Sequence, residues 1–110
     1  MLKLEYLCIE SNCTLMDALK LIDMNGQGMV FVQKEKVFLG TLTDGDIRRA
    51  IIGGANNDSN IESFCNKNAI SLPIFSSDKK LRDSLLINEI TLIPLINDQG
   101  TIVDYASQSR

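Results

Sequence analysis

The sequence contains no histidine. That absence removes the commonest general base and the commonest metal ligand, and it leaves the hydroxyls of Ser11, Ser76 and Ser77 with no imidazole to activate them. Tryptophan is also missing and only 5% of residues are aromatic, so Ile, Leu, Val and Met must fill the core by aliphatic interdigitation. The three cysteines, Cys8, Cys13 and Cys65, are an odd number and form no C-x-x-C pair. They point to neither a disulfide framework nor a zinc site, and they read as small buried hydrophobes. No metal site is expected. No apolar run approaches the roughly 18–20 residues that span a bilayer. Met1 to Glu10 carries Lys3, Glu5 and Glu10 and has no signal-peptide core. The net charge is -3 with both signs dispersed, which gives no footprint for nucleic acid. The expectation is a cytoplasmic protein with no nucleic-acid and no membrane partner.

What is present suits one small α/β protein. The chain has 110 residues, 45% of them apolar, enough for a packed core. Leu15, Ala18, Leu19 and Ile22 recur at helical spacing over 14–24. Thr14 with Asp17 reads as a capping box, and Asn25-Gly26 as the helix end. Met29 to Val32 and Val37 to Leu42 read as a hairpin around a charged turn, Gln33 to Lys36. A helix follows from Thr43 and stops at Gly53-Gly54. Ala55 to Asn60 reads as a polar linker, and Ile61 to Cys65 as a short helical turn. Ala69 to Leu72 is expected to be extended ahead of Pro73. Asp78 to Asn88 reads as an amphipathic helix capped by Asp78, with Leu81, Leu85 and Leu86 inward. Thr91 to Ile96 is a strand, Asn97 to Gly100 a turn, and Thr101 to Val103 the start of a returning strand.

The two halves align. Leu15, Asp17 and Leu19 match Leu81, Asp83 and Leu85 at an offset of 66, and Val30 to Val32 match Pro94 to Ile96 at an offset of 64. The second offset also sets Leu39 on Val103 and Thr43 on Ser107. The expected organisation is therefore a repeat over 1–56 and a second over 57–110, the latter with its final helix missing or degenerate. The stretch from Asp104 to Arg110 reads like the start of a connection, as in a piece of a larger protein.

The stretch with chemistry is Gly40 to Arg49, GTLTDGDIRR. A strand ends in a polar turn that opens a helix, whose unpaired N–H groups can hold an anion. Gly45 admits close approach of a ligand to the backbone. Asp46 offers acceptors to a ribose diol, and Arg48 and Arg49 suit phosphate oxygens. A bare helix start accounts for the same residues: Thr43 with Asp46 is a capping box, Asp44 pairs with Arg48, and Asp46 pairs with Arg49.

Gly40-x-x-Thr43-x-x-Asp46-Ile47, inside a tandem repeat, resembles the CBS domain family, named after cystathionine β-synthase. The string TDGDIRR, residues 43 to 49, is similar to CBS pairs attached to bacterial sugar-nucleotide enzymes, nucleotidyltransferases or sugar aminotransferases. The resemblance implies a tandem α/β module whose clefts hold AMP, ADP, ATP or S-adenosylmethionine, regulating an attached or partner enzyme. It implies a homodimer, with no required cofactor. By that resemblance Asp46 holds ribose hydroxyls and Thr43 faces ribose or phosphate, with Asp44, Gly45, Arg48 and Arg49 around them. Asn12, Cys13 and Met29 flank the base by location. In the second repeat Asp104, Ser107 and Arg110 stand where Gly40, Thr43 and Asp46 stand in the first, so that cleft is expected to be degenerate.

Three readings of function remain: a ligand sensor, a ligand-free dimerisation domain, and a small enzyme built on Asp44 and Asp46. The missing imidazole sets the enzyme last, and no catalytic residue is expected. Asp98 and Asp104 read as solvated turn residues, and Met24 and Met29 as core filler. Pro94 reads as an edge-strand residue or as a site where a ligand replaces a ladder bond, the edge being favoured.

Overall fold

In the computed structural model, which describes residues 2–108, contacts divide the chain into two units, Met1–Ala69 and Ile70–Arg110. The first contains β1 (Cys8–Glu10), α1 (Leu15–Asn25), β2 (Met29–Lys34), β3 (Val37–Thr43) and α2 (Asp44–Ile52). Its sheet runs β1-β2-β3. β1 lies parallel to β2, a pairing that needs a crossover, and α1 supplies it. β3 returns antiparallel. Glu35 and Lys36 both take positive φ, 51° and 68°, so the hairpin closes in two residues. Gln33 and Lys34, expected in the turn, instead pair with Phe38 and Val37.

α1 starts where Thr14 and Asp17 cap each other: the Thr14 amide donates to Asp17 Oδ2 at 2.9 Å, and the Asp17 amide donates to Thr14 Oγ1 at 3.2 Å. It ends at Gly26, in the left-handed region at φ 68°. Leu15, Ala18 and Ile22 are buried in one core with Ile9, Val30, Val32 and Leu42 of the sheet and Ile47 of α2. Leu19 is packed against that core from its margin.

Residues 55–66 are tied down rather than loose. Leu15 donates its amide to Ser59 O and Met16 to Asn57 O. Ile61 donates to Cys13 O, and Thr41 and Asn66 exchange two backbone bonds, at 3.2 and 2.7 Å. This strap also places Ile61 and Cys65 in the core. It explains why the first unit extends to Ala69, well past the repeat boundary after Asn56 that sequence register suggests.

Asn25, 5% exposed, joins three elements. Its Nδ2 donates to Tyr6 O at 2.9 Å and to Met29 O at 3.2 Å, and its Oδ1 accepts from the Gln27 amide at 2.7 Å. Replacing it strands buried backbone groups, each of which costs about 1–3 kcal/mol unsatisfied. Asn25→Ala is expected to lower stability by about 2–4 kcal/mol in urea denaturation. A midpoint equal to that of the native chain would contradict this role.

Among the described residues the second unit repeats the topology without a second helix: β4 (Leu72–Pro73), α3 (Asp78–Ile87), β5 (Leu92–Ile96) and β6 (Ile102–Ser107). Its sheet runs β4-β5-β6, parallel then antiparallel. Ser77, not Asp78, caps α3, its Oγ accepting from the Lys80 amide at 3.2 Å. Asp78 has moved into the first turn, where its charge favours the helix dipole. Leu81 and Leu85 face the core, but Leu86 is 69% exposed. Pro94 lies in the central strand, not at an edge. It is tolerated because β4 is short: Leu72 pairs with Leu95, so the ladder begins one residue beyond the proline. At the equivalent place in the first unit, Phe31 donates its amide to Leu7 O at 2.6 Å; in β5 that bond is not required.

The repeat is real, but its register differs from the sequence alignment. The cap residues Thr14 and Ser77, the strand starts Met29 and Leu92, and the bulges after Val32 and Leu95 are all 63 residues apart. Only past the turn does the spacing become 64, since Thr43 pairs with Met29 as Ser107 pairs with Leu92. No helix among the described residues is long and apolar enough to cross a membrane.

Candidate functional site

α2 opens directly off the end of β3, and its first turn carries the polar cluster. Thr43 and Asp46 form a complete capping box. The Thr43 amide donates to Asp46 Oδ2 at 3.0 Å, and the Asp46 amide donates to Thr43 Oγ1 at 3.1 Å. Arg49 Nη2 donates to the other carboxylate oxygen, Oδ1, at 2.9 Å. The Asp46 side chain is 22% exposed and the Arg49 side chain 70%. Each carboxylate oxygen thus holds one bond and keeps one lone pair for a further donor. The expected pair of Asp44 with Arg48 does not form among the described residues. Both instead line a shallow cavity of about 350 Å³ with Leu19, Ile47 and Ile51.

Gly45 sits in the first helical turn with an ordinary, negative-side backbone. A Cβ there would meet only the tip of Arg49, at 3.1 Å from Nη1. The guanidinium therefore lies over a bare backbone. Glycine costs a helix about 1 kcal/mol relative to alanine, and no backbone constraint requires it here.

Met29 is brought to this place by pairing: it faces Thr43 across the hairpin. Gly28, which the sequence reading overlooked, joins the site too. Its carbonyl accepts from the Asp44 amide at 3.0 Å, and it holds φ 76°. With Gln27 and Asp44 it borders a second cavity, of about 520 Å³. The Gly26-x-Gly28 spacing was the available signal. Asn12 and Cys13 lie elsewhere. Ser11 donates its amide to Gln33 O, four residues along β2 from Met29, which is roughly 13 Å at strand rise. Asn12 and Cys13 are thus at the opposite end of the sheet from Thr43 and Asp46.

The thiols are poor nucleophiles. Burial, helped by Glu10, pushes Cys8 up to about 11. Burial also leads in raising Cys13 and Cys65, so all three stay protonated near neutral pH. Arg110, expected in place of Asp46 in the second repeat, lies outside the described residues. Asp104 and Ser107, the other two substitutions there, lie on β6 in the register of Gly40 and Thr43.

No protein-family model matches the chain. Among curated proteins it is similar to arabinose 5-phosphate isomerase GutQ of Salmonella typhi, 30% identical over 90 residues. The match takes in 81% of this chain but 28% of that protein, so the chain spans little more than a quarter of the relative's length. The Salmonella typhimurium protein of the same name matches equally. Solved structures agree over both units. A CBS domain pair/ACT domain protein from Thermotoga maritima gives a TM-score of 0.83 at 11% identity, covering 97% of this chain and 85% of that one. A CBS domain pair in complex with 5′-methylthioadenosine and S-adenosyl-L-methionine gives 0.77 at 18% identity, covering 94% and 85%. The cytosolic domain of the Mg²⁺ channel MgtE in complex with ATP gives 0.79 at 14% identity, covering 96% and 43%. Two three-stranded sheets of one topology, set in a chain that matches these proteins along nearly its whole length, show that its fold is that of a CBS domain pair.

Proposed function

We propose that this chain is a regulatory module that binds an adenine nucleotide or an adenosyl ligand at the start of α2 and controls an attached or partner enzyme. The carrying observation is the Asp46 carboxylate. The capping box and Arg49 hold it in place, and each of its oxygens retains a lone pair for a ribose diol. Thr43, Asp44 and Gly45 surround it, with Met29 and Gly28 adjacent across the hairpin. Arg49, mostly in solvent, can turn from Asp46 to a phosphate without disturbing the core. Structural neighbours that hold ATP or S-adenosylmethionine support this ligand class. The relative named as an arabinose 5-phosphate isomerase supports a host that acts on sugar phosphates; a sugar-nucleotide enzyme as host and a cytoplasmic setting belong to the same proposal. The module itself performs no catalysis in this reading.

One observation favours a second reading, a ligand-free dimerisation domain: Ile51 and Ile52 on α2 are 44% and 78% exposed, a surface suited to a second copy. A thermal-shift panel of AMP, ADP, ATP, GTP, CMP, S-adenosylmethionine and sugar nucleotides separates the two. Binding to the native state must raise apparent stability, by about 2.7 kcal/mol at a hundred times Kd. The sensor predicts a concentration-dependent shift with an adenine-containing ligand. A flat panel supports the dimerisation domain.

A further inference from the structure

Asn25 is the one asparagine in the sequence that a glycine follows. A glycine has no Cβ to hinder the approach of its amide to the preceding side chain, so Asn25-Gly26 is the place where this chain is best disposed to close on itself. In the folded protein three features prevent closure. The Gly26 amide, the attacking group, donates to Ile22 O at 2.9 Å. Asn25 is the last residue of α1, and a helical ψ holds its side-chain carbon away from the next nitrogen. Its side-chain amide is pinned by bonds to Tyr6 O, Met29 O and the Gln27 amide, and the residue is buried away from bulk water.

We propose that Asn25-Gly26 is a latent modification site: the fold protects it, unfolding releases it, and the product cannot rebuild the junction that Asn25 makes. In the unfolded chain the Gly26 nitrogen loses its proton to hydroxide and attacks Asn25 Cγ. The N–Cγ bond forms, the Cγ–Nδ2 bond breaks, and Nδ2 leaves as ammonia with a proton taken from water. A water molecule then opens the five-membered imide. Addition at Cγ gives aspartate. Addition at the main-chain carbonyl gives isoaspartate, in which the chain runs through the side-chain carbon. The sum is one water consumed and one ammonia released, with no change of oxidation state.

Either product defeats the junction. A carboxylate has no hydrogen to donate, so Tyr6 O and Met29 O lose their donor and face an anion instead. Of the three partners, the Gln27 amide alone still suits it. Isoaspartate also lengthens the main chain by one carbon at the end of α1, where Gly26 turns at φ 68° and reaches Ile22 O. A chain that opens briefly therefore returns to the native fold, while one that stays open loses the means to do so.

The test incubates the whole chain at mildly alkaline pH, in buffer and in guanidinium chloride. Mass spectrometry with fragmentation follows the tryptic peptide of residues 21 to 34. Conversion at Asn25 is expected to be slower in buffer by roughly 100-fold or more, because only the opened fraction reacts. After dilution from guanidinium chloride, the fraction that regains native circular dichroism should fall as the fraction converted rises. Gly26→Ala separates this cause from others. Alanine is strained at φ 68°, but its Cβ would meet nothing within 4 Å in the folded chain. In the unfolded chain that Cβ hinders ring closure, so the refolding yield of Gly26→Ala should hold over the same time. Asn25→Asp, made directly, should unfold at a lower denaturant concentration than the native chain. Equal conversion in buffer and in denaturant would overturn the proposal. So would an unimpaired yield after conversion, a yield that falls equally in Gly26→Ala, or a native midpoint in Asn25→Asp. None of these outcomes depends on a nucleotide.

Discussion

Gly40→Ala is expected to cost about 2–5 kcal/mol of folding stability, although it adds a single methyl group. Gly40 lies in β3 beneath the strap. A Cβ there would land on the Asn66 carbonyl oxygen, lie 2.9 Å from its carbon, and come within 3.3 Å of Lys67 Cα. These are backbone atoms, so no side-chain rotation relieves the clash. The strap must lift, and the two backbone bonds between Thr41 and Asn66 go with it. Overpacking alone costs about 1–3 kcal/mol, and each lost bond adds about 0.5–1.5 kcal/mol. Gly45→Ala, five residues on, is the contrast. Its Cβ meets only the flexible tip of Arg49, and alanine is the better helix former by about 1 kcal/mol. Urea denaturation should show one variant strongly destabilised and the other unchanged or slightly stabilised. Equal midpoints would mean that the strap is not held against β3. Of the glycines in the motif, Gly40 is therefore explained by packing, while neither packing nor backbone conformation requires Gly45.

Asp46→Ala is expected to reduce affinity for an adenine nucleotide on the order of 100-fold or more, since two charge-assisted bonds to the ribose are lost. The substitution also removes half of a capping box, and a loss of fold would imitate a loss of binding. The chain contains its own control. Thr14 with Asp17 forms the same box at the start of α1, with the same two bonds. Hydrogen bonds from the Thr14 amide and hydroxyl region hold the Asp17 carboxyl below its ordinary value, as befits a cap. Its contribution is present above the unfolded carboxylate range and is lost as pH falls through its lowered value. Asp17→Ala should therefore disturb a helix start in the same manner and leave nucleotide binding intact.

Much of this was legible from the chain. Thr-x-x-Asp marks both helix starts, because a capping box needs only local residues. The hairpin and the tandem repeat were likewise visible. Register was not, for two physical reasons. A helix shifted by three residues keeps its apolar face, so Leu81 and Leu85 match Leu15 and Leu19 almost as well as they match Ala18 and Ile22. A strand shifted by one residue normally turns its apolar side outward, but Val30 to Val32 and Ile93 to Leu95 are buried on both faces and carry no alternation to read. The strap was missed because Asn56, Asp58 and Ser59 look like a tether. The Ser59 and Asn56 side chains accept locally, from the Asn56 and Asp58 amides, while the backbone carbonyls of Asn57 and Ser59 accept from α1. Asn12 and Cys13 were assigned by nearness to α1 in sequence, whereas parallel pairing of β1 with β2 carries them to the far end of the sheet.

The most direct test of the central claim is calorimetric titration of the chain, Asp46→Ala and Asp17→Ala with AMP, ATP and S-adenosylmethionine. The account predicts saturable binding of at least one of these ligands to the native chain and to Asp17→Ala, and binding weaker by about 100-fold or more to a folded Asp46→Ala. Undiminished affinity in Asp46→Ala, or an equal loss in Asp17→Ala, would contradict the assignment of the ribose to the start of α2.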